Sequence, residues 1–178
     1  MLRKLIIIKL KIMKKFLLTI AMVAFGFAAN AQDESGQTAK GKFVIEANTG
    51  SATTGNTSFS FSSSDGQSSF SLGLDGGYFV ADNFAVKGGL GYADINDASL
   101  FVYKVGAEYY LDGQFPVGID FTGTSFDGGS SNWVGLQAGY AYFLGENVSV
   151  KPALRYNIGL DEGQEGLFQG LIGFALYF

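Results

Sequence analysis

From residue 42 to its end the chain alternates two kinds of side chain with a period of two, and helical spacing is absent there. A period of two puts successive residues on opposite faces of a β-strand. Eight segments obey it: 42–48, 68–80, 84–93, 100–111, 115–122, 132–143, 147–158 and 167–178. One face of each is apolar. It carries Leu72, Leu74, Tyr78 and Val80 in the second segment, Phe84, Val86, Leu90 and Tyr92 in the third, and Val148, Val150, Leu154, Tyr156 and Ile158 in the seventh. No charge falls on this face. Its aromatics also sort by height. Tyr78, Phe84, Tyr109, Phe115, Tyr142 and Phe178 stand at one end of the segments, and Phe70, Tyr92, Phe101, Phe121, Tyr156 and Phe168 at the other. Two aromatic girdles around an aliphatic band are what a lipid bilayer selects, because amphipathic rings favour its interfaces. Most segments lie near the roughly 9–11 residues that a tilted membrane strand needs. The pattern predicts an all-β fold, an eight-stranded antiparallel up-and-down transmembrane β-barrel.

The connections fit that architecture. Three are tight, at 81–83, 112–114 and 144–146, and alternate with longer ones at 49–67, 94–100, 123–131 and 159–166. Both sets are rich in Gly, Asn, Asp and Ser, the residues that turn a chain. Short turns on one side and longer loops on the other are the barrel arrangement of outer membranes.

The second face is small or polar, with Ser71, Gly73, Gly77, Gly89, Gly106, Gly118, Gly135, Gly139 and Gly173 among its members. It also holds four acids, Glu46, Asp75, Glu108 and Asp120, and four bases, Lys87, Lys104, Lys151 and Arg155. An eight-stranded barrel is just wide enough for its interior to be filled by side chains. Equal numbers of opposite charges there predict a luminal salt-bridge network, since an isolated buried charge costs several kcal/mol. Pro152 interrupts the seventh segment and lacks a ladder donor, which predicts a local bulge.

The N-terminus is organised differently. Arg3, Lys4, Lys9, Lys11, Lys14 and Lys15 precede an apolar run at 16–28 and the small-x-small site Ala29-Asn30-Ala31. These are the parts of a secretory signal peptide, 1–31, with the barrel domain at 32–178. The run is shorter than the roughly 20 residues of a membrane-spanning helix. Met13-Lys14-Lys15 is itself a normal signal start, which leaves open that 1–12 lie upstream of the true start. Six of the twelve basic residues fall in this segment, so the remainder carries six bases against sixteen acids, a net charge of −10. Such a chain lacks the basic footprint of a nucleic-acid partner.

The chain has no His and no Cys. That excludes nucleophile–His catalysis, disulfides and thiolate metal sites. The carboxylates on the small face are better used as partners of the bases beside them than as a general acid and base. The acids of 94–97 and 161–165 do not match a Ca²⁺ loop, and no phosphate loop or dinucleotide fingerprint occurs. No enzymatic activity, metal or cofactor is therefore expected. The segment 49–67, rich in Ser, Thr and Gly with Phe59 and Phe61 alternating against Ser, is a candidate surface for an extracellular partner.

Two stretches carry a family resemblance. Gly76-Gly77-Tyr78-Phe79-Val80-Ala81-Asp82-Asn83-Phe84-Ala85-Val86 resembles the recurrent strand-turn-strand of the small outer-membrane β-barrels of Gram-negative bacteria, the OmpA/OmpX type. The segment 167–178, with Phe174, Leu176 and a terminal Phe178, resembles that family's C-terminal assembly signal. The resemblance covers nearly all of 32–178 and implies an outer-membrane location, contact with its lipids, and recognition by the barrel insertion machinery. It is weak for activity, because the fold hosts adhesins, pores and enzymes. The expected role is a non-enzymatic structural or surface-interaction one, through the outer loops. A narrow pore and a small-ligand-binding barrel stay open as alternatives.

Overall fold

The computed structural model describes residues 36–64, 67–95 and 98–178; the signal-peptide reading of 1–31 lies outside them. The strands are β1 (Phe43–Asn48), β2 (Phe59–Ser64), β3 (Gln67–Ala81), β4 (Phe84–Ile95), β5 (Ala98–Leu111), β6 (Phe115–Phe126), β7 (Gly129–Gly139), β8 (Tyr142–Phe143), β9 (Val148–Gly159) and β10 (Leu167–Tyr177). All their ladders are antiparallel. The order runs β1-β10-β9-β7-β6-β5-β4-β3, and β3 pairs back onto β1, so the sheet closes. Along the β1–β10 ladder closure leaves no open edge, which hydrocarbon cannot tolerate because it offers backbone groups no hydrogen bonds. The ten strands form eight staves: β1 with β2 makes one, and β7 with β8 another.

Each of the eight segments read from the sequence is a stave, with the expected faces. Thirty large hydrophobic side chains are exposed among the described residues, and all but Phe126, Leu144, Leu160 and Leu167, at strand ends and connections, are outward ones, Leu90 and Leu154 included. A water-soluble protein does not expose an apolar belt of this extent. Along β9, and along β10 from Gly170 on, the burial alternates residue by residue.

The tight turns form as their residues dictate. Asp112 and Gly113 both adopt positive φ, 49° and 70°, the mirror-image conformation that matches the twist of paired strands and that Asp-Gly accepts readily. The opposite ends are shorter than the sequence suggests. β4 runs to Ile95 and β5 starts at Ala98, while β6 runs to Phe126 and β7 starts at Gly129. The polar residues read as loop at 94–100 and 123–131 are largely strand that continues past the apolar belt.

Two expectations are corrected. Pro152 makes no bulge, for Gly139↔Ala153 and Tyr142↔Val150 keep one register across it. The facing stave is interrupted only at Tyr140 and Ala141, between β7 and β8, and even there Tyr140 N–H donates to the Pro152 carbonyl at 3.0 Å, while Ala141 N–H donates to the Gln114 carbonyl at 2.7 Å on the β6 side, in line with the β6–β7 ladder. What the proline costs the ladder is the single return bond that its nitrogen cannot donate.

The second correction concerns 49–67, which is not one outer loop. Continuing the β1–β3 register past Asn48 would place residue 49 opposite Leu72, but Phe59 occupies that position. Residues 49–58 leave the wall and fold into the barrel mouth, with a short 3-10 helix at Ala52–Thr54 capped by Ser51. The wall then resumes as β2. The excursion skips ten residues, an even number, so the in/out alternation survives and Phe59 and Phe61 stay on the lipid-type face, 61% and 71% exposed. The physical reason is compositional. An uninterrupted stave would turn Thr49, Ser51 and Thr53 outward, whereas the skip presents two aromatics.

Candidate functional site

The barrel interior is filled in three layers, each set by the alternation of the staves. At the tight-turn end lies an apolar layer of Val44, Phe79, Ala85, Tyr110, Ala141, Ala175 and Tyr177, with Phe143 packed against it. The Phe79 and Tyr110 ring centroids are 5.7 Å apart, and those of Phe143 and Tyr177 5.4 Å. These inward aromatics were not singled out from the sequence. Parity was the available signal, because each stands on the small, polar face of its strand.

The middle layer contains all eight charged residues of that face. Lys151 Nζ donates to Glu46 at 2.6 Å, to Glu108 at 2.7 Å and to the Tyr110 hydroxyl at 3.0 Å. Lys87 joins the same two carboxylates at 2.9 and 3.4 Å. Two lysines and two glutamates therefore make one neutral cluster in which every ammonium has several acceptors. Lys104 pairs with Asp75 at 2.8 Å. Arg155 grips Asp120 through both terminal nitrogens at 2.6 Å and donates from Nε to Asn157 at 2.7 Å. This two-pronged geometry is the strong form of the pair.

Glycines make room for these long side chains. Lys87 lies between Gly77 and Gly106 on neighbouring strands, and Asp120 between Gly106 and Gly135. A Cβ at Gly135 would run into the Arg155 guanidinium. Gly135→Ala is accordingly expected to lower stability by about 1–3 kcal/mol, the usual cost of overpacking. The check is denaturant unfolding followed by the fluorescence of Trp133, the only tryptophan, which is buried.

The outer layer is the inward-folded 49–58. Thr124 donates to the Ala52 carbonyl at 2.9 Å and Thr122 to that of Gly55. Asn56 Nδ2 donates to Gln169 at 3.0 Å. Thr57 donates to Asp75, and Lys104 reaches Thr57 at 3.4 Å. One cavity between the layers, of about 20 Å³, is bordered by Glu46, Asp75, Lys87, Lys104, Glu108 and Asp120. That is room for about one water molecule. Among the described residues no group of His, Cys, Asp and Glu is arranged to hold a metal ion.

No protein-family model matches the sequence, and no curated protein matches it. Among solved structures the chain is similar to the N-terminal β-barrel domain of Pseudomonas aeruginosa OprF, with a TM-score of 0.50 and 17% identity over 78% of this chain and 98% of that one. It is also similar to a de novo designed transmembrane β-barrel, with a TM-score of 0.42 and 15% identity over 83% of this chain and 100% of that one. The outer membrane protein AlkL, solved in DMPC lipid bilayers, gives 0.42 and 15% over 84% of this chain and 95% of that one. What is shared with the OprF domain is the fold. The chain is a closed eight-stranded antiparallel β-barrel with the fold of that outer-membrane domain.

Proposed function

We propose that the chain is a non-enzymatic integral protein of the outer membrane, exported by cleavage of 1–31, with a structural role in the envelope and a surface formed by its outer hairpins. The carrying observation is the pairing of an apolar, aromatic-girdled exterior with an interior filled from end to end. The first suits lipid and little else. The second supports a scaffold over a pore or a ligand barrel, because aromatics close one end, residues 49–58 the other, and ion pairs occupy the space between. The surface role rests on β2 and β3, where Phe59, Phe61 and Phe70 are outward beside the outer rim. Phe174 and Leu176 face outward on β10 and, with Phe178, make up the segment proposed as the signal read by the insertion machinery.

The test is electrophoresis of membrane-extracted protein in SDS, boiled and unboiled. A folded membrane barrel resists cold SDS, so two mobilities are expected. A single mobility, with the protein in the soluble periplasmic fraction, would overturn the reading. In planar bilayers the intact protein is expected to show no steady conductance. A steady current altered by exchanging Asp120 and Arg155 would favour the pore instead.

A further inference from the structure

The first stave contains two registers at once. Against β10 the chain keeps the β1 register through residue 49, for Asn48 pairs with Gly173 and Thr49 N–H donates to the Ile172 carbonyl at 3.1 Å. Against β3 it switches to a register ten residues later, with Phe59 opposite Leu72 and Ser64 opposite Gln67. Beyond Thr49 the two diverge. β2 has a ladder with β3 only, and the β1–β10 ladder covers Gly173–Tyr177 of β10. The outer half of β10, 167–171, has no ladder partner on that side among the described residues.

The unused edge has a matching segment in the same chain. Carried on in the β1 register, residue 50 would stand opposite Leu171 and residue 54 opposite Leu167. On the other flank residue 49 would meet Leu72 and residue 54 would meet Gln67, the positions that Phe59 and Ser64 hold now. Because the two registers differ by an even number, both keep the alternation. Gly50, Ala52 and Thr54 would face the lumen, where small residues fit. We propose that residues 49–58 exchange between a plug in the mouth and a strand in the wall, with 49–54 and 59–64 competing for one place in the outer half of the first stave.

The two arrangements have opposing merits. The plugged one sets Phe59 and Phe61 into the apolar belt but leaves the β10 edge without its ladder. The wall arrangement completes ladders on both flanks, yet turns Thr49, Ser51 and Thr53 outward. Withdrawal moves only neutral groups, since 49–58 contains no charge and no apolar side chain larger than Ala. The plugged arrangement also holds a buried Asn56 Oδ1 that has no hydrogen-bond partner among the described residues, a cost that withdrawal relieves. Unplugging opens a vestibule to the outside, floored by the Asp75–Lys104 and Asp120–Arg155 pairs. It makes no through-channel, because the layer of Phe79, Tyr110 and Tyr177 stays shut.

The absence of cysteine makes thiol trapping unambiguous. Directly opposed residues on adjacent strands lie within disulfide reach. Ser60 and Ser71 are opposed in the plugged register, with their hydroxyls 2.8 Å apart. Ala52 and Gln169 would be opposed only in the wall register. In the full barrel refolded into lipid vesicles, Ser60→Cys with Ser71→Cys is expected to oxidise rapidly and completely. Ala52→Cys with Gln169→Cys is expected to oxidise progressively, and the trapped form to gain chymotrypsin cleavage after Phe59 and Phe61. Gln169 is a plug contact, so a second lever is needed. Adding Thr49→Val and Thr53→Val, which make the wall register apolar outside, should speed the 52–169 crosslink several-fold. A 52–169 pair that stays reduced while the 60–71 pair oxidises fully overturns the exchange, as does a crosslinking rate indifferent to the two valines.

Discussion

Replacing Lys151 by Met is expected to lower the unfolding free energy by about 3–5 kcal/mol, the penalty for breaking one side of a buried ion pair. Lys151 is 1% exposed and supplies one of the two positive charges held between Glu46 and Glu108. Its loss leaves two carboxylates sharing Lys87 in a space with room for about one water. The Tyr110 hydroxyl loses its charged donor at the same time. Adding Glu108→Gln restores neutrality, because Lys87 and Glu46 remain paired at 2.9 Å. The double variant is therefore expected to recover most of the loss. Replacing a buried pair whole is often nearly neutral, whereas halving it is not. Equilibrium unfolding from lipid vesicles, read by Trp133, gives all three values of the cycle. A Lys151→Met change of under about 1 kcal/mol, the range of an exposed pair, would mean that water reaches the cluster.

The second large effect is expected on the opposite face. Leu90 is 59% exposed and lies mid-way along β4, between Phe84 near the tight turn and Tyr92 towards the outer rim. In water an exposed position of this kind accepts Arg within roughly 0.5 kcal/mol. In a bilayer an arginine at the midplane of a barrel costs about 2–4 kcal/mol. Leu90→Arg should show the larger figure in vesicle-refolded protein. Ser125→Arg, exposed near the outer end of β6, should cost only about 0–1 kcal/mol, as interfacial positions do. Equal, near-zero costs at both sites would remove the lipid from the account of the apolar belt.

These two expectations rest on different depths of inference. That Leu90 faces out and Lys151 faces in is a matter of parity, and a period of two is visible in a bare sequence because the pleat imposes it on every strand. Which base meets which acid was not visible. It depends on the stagger between staves, which brings Lys87, Glu108 and Lys151 to the height of Glu46 and leaves Arg155 to Asp120. The inward Phe79, Tyr110 and Tyr177 were legible in principle, since each breaks the small-polar rule of its own face. The ten-residue excursion was not. Its polar, glycine-containing composition reads as an ordinary loop, and only the ladders show that β2 lies on the line of β1 rather than beyond it.

The sequence by itself determined the eight staves, their two faces, the girdles and the tight turns, because those follow from local chemistry repeated every second residue. Tertiary structure decided the closure of the sheet, the partners of the eight charges, the break opposite Pro152 and the inward path of 49–58. Each of these depends on which residues stand opposite one another across strands, and that is a long-range register no local pattern encodes.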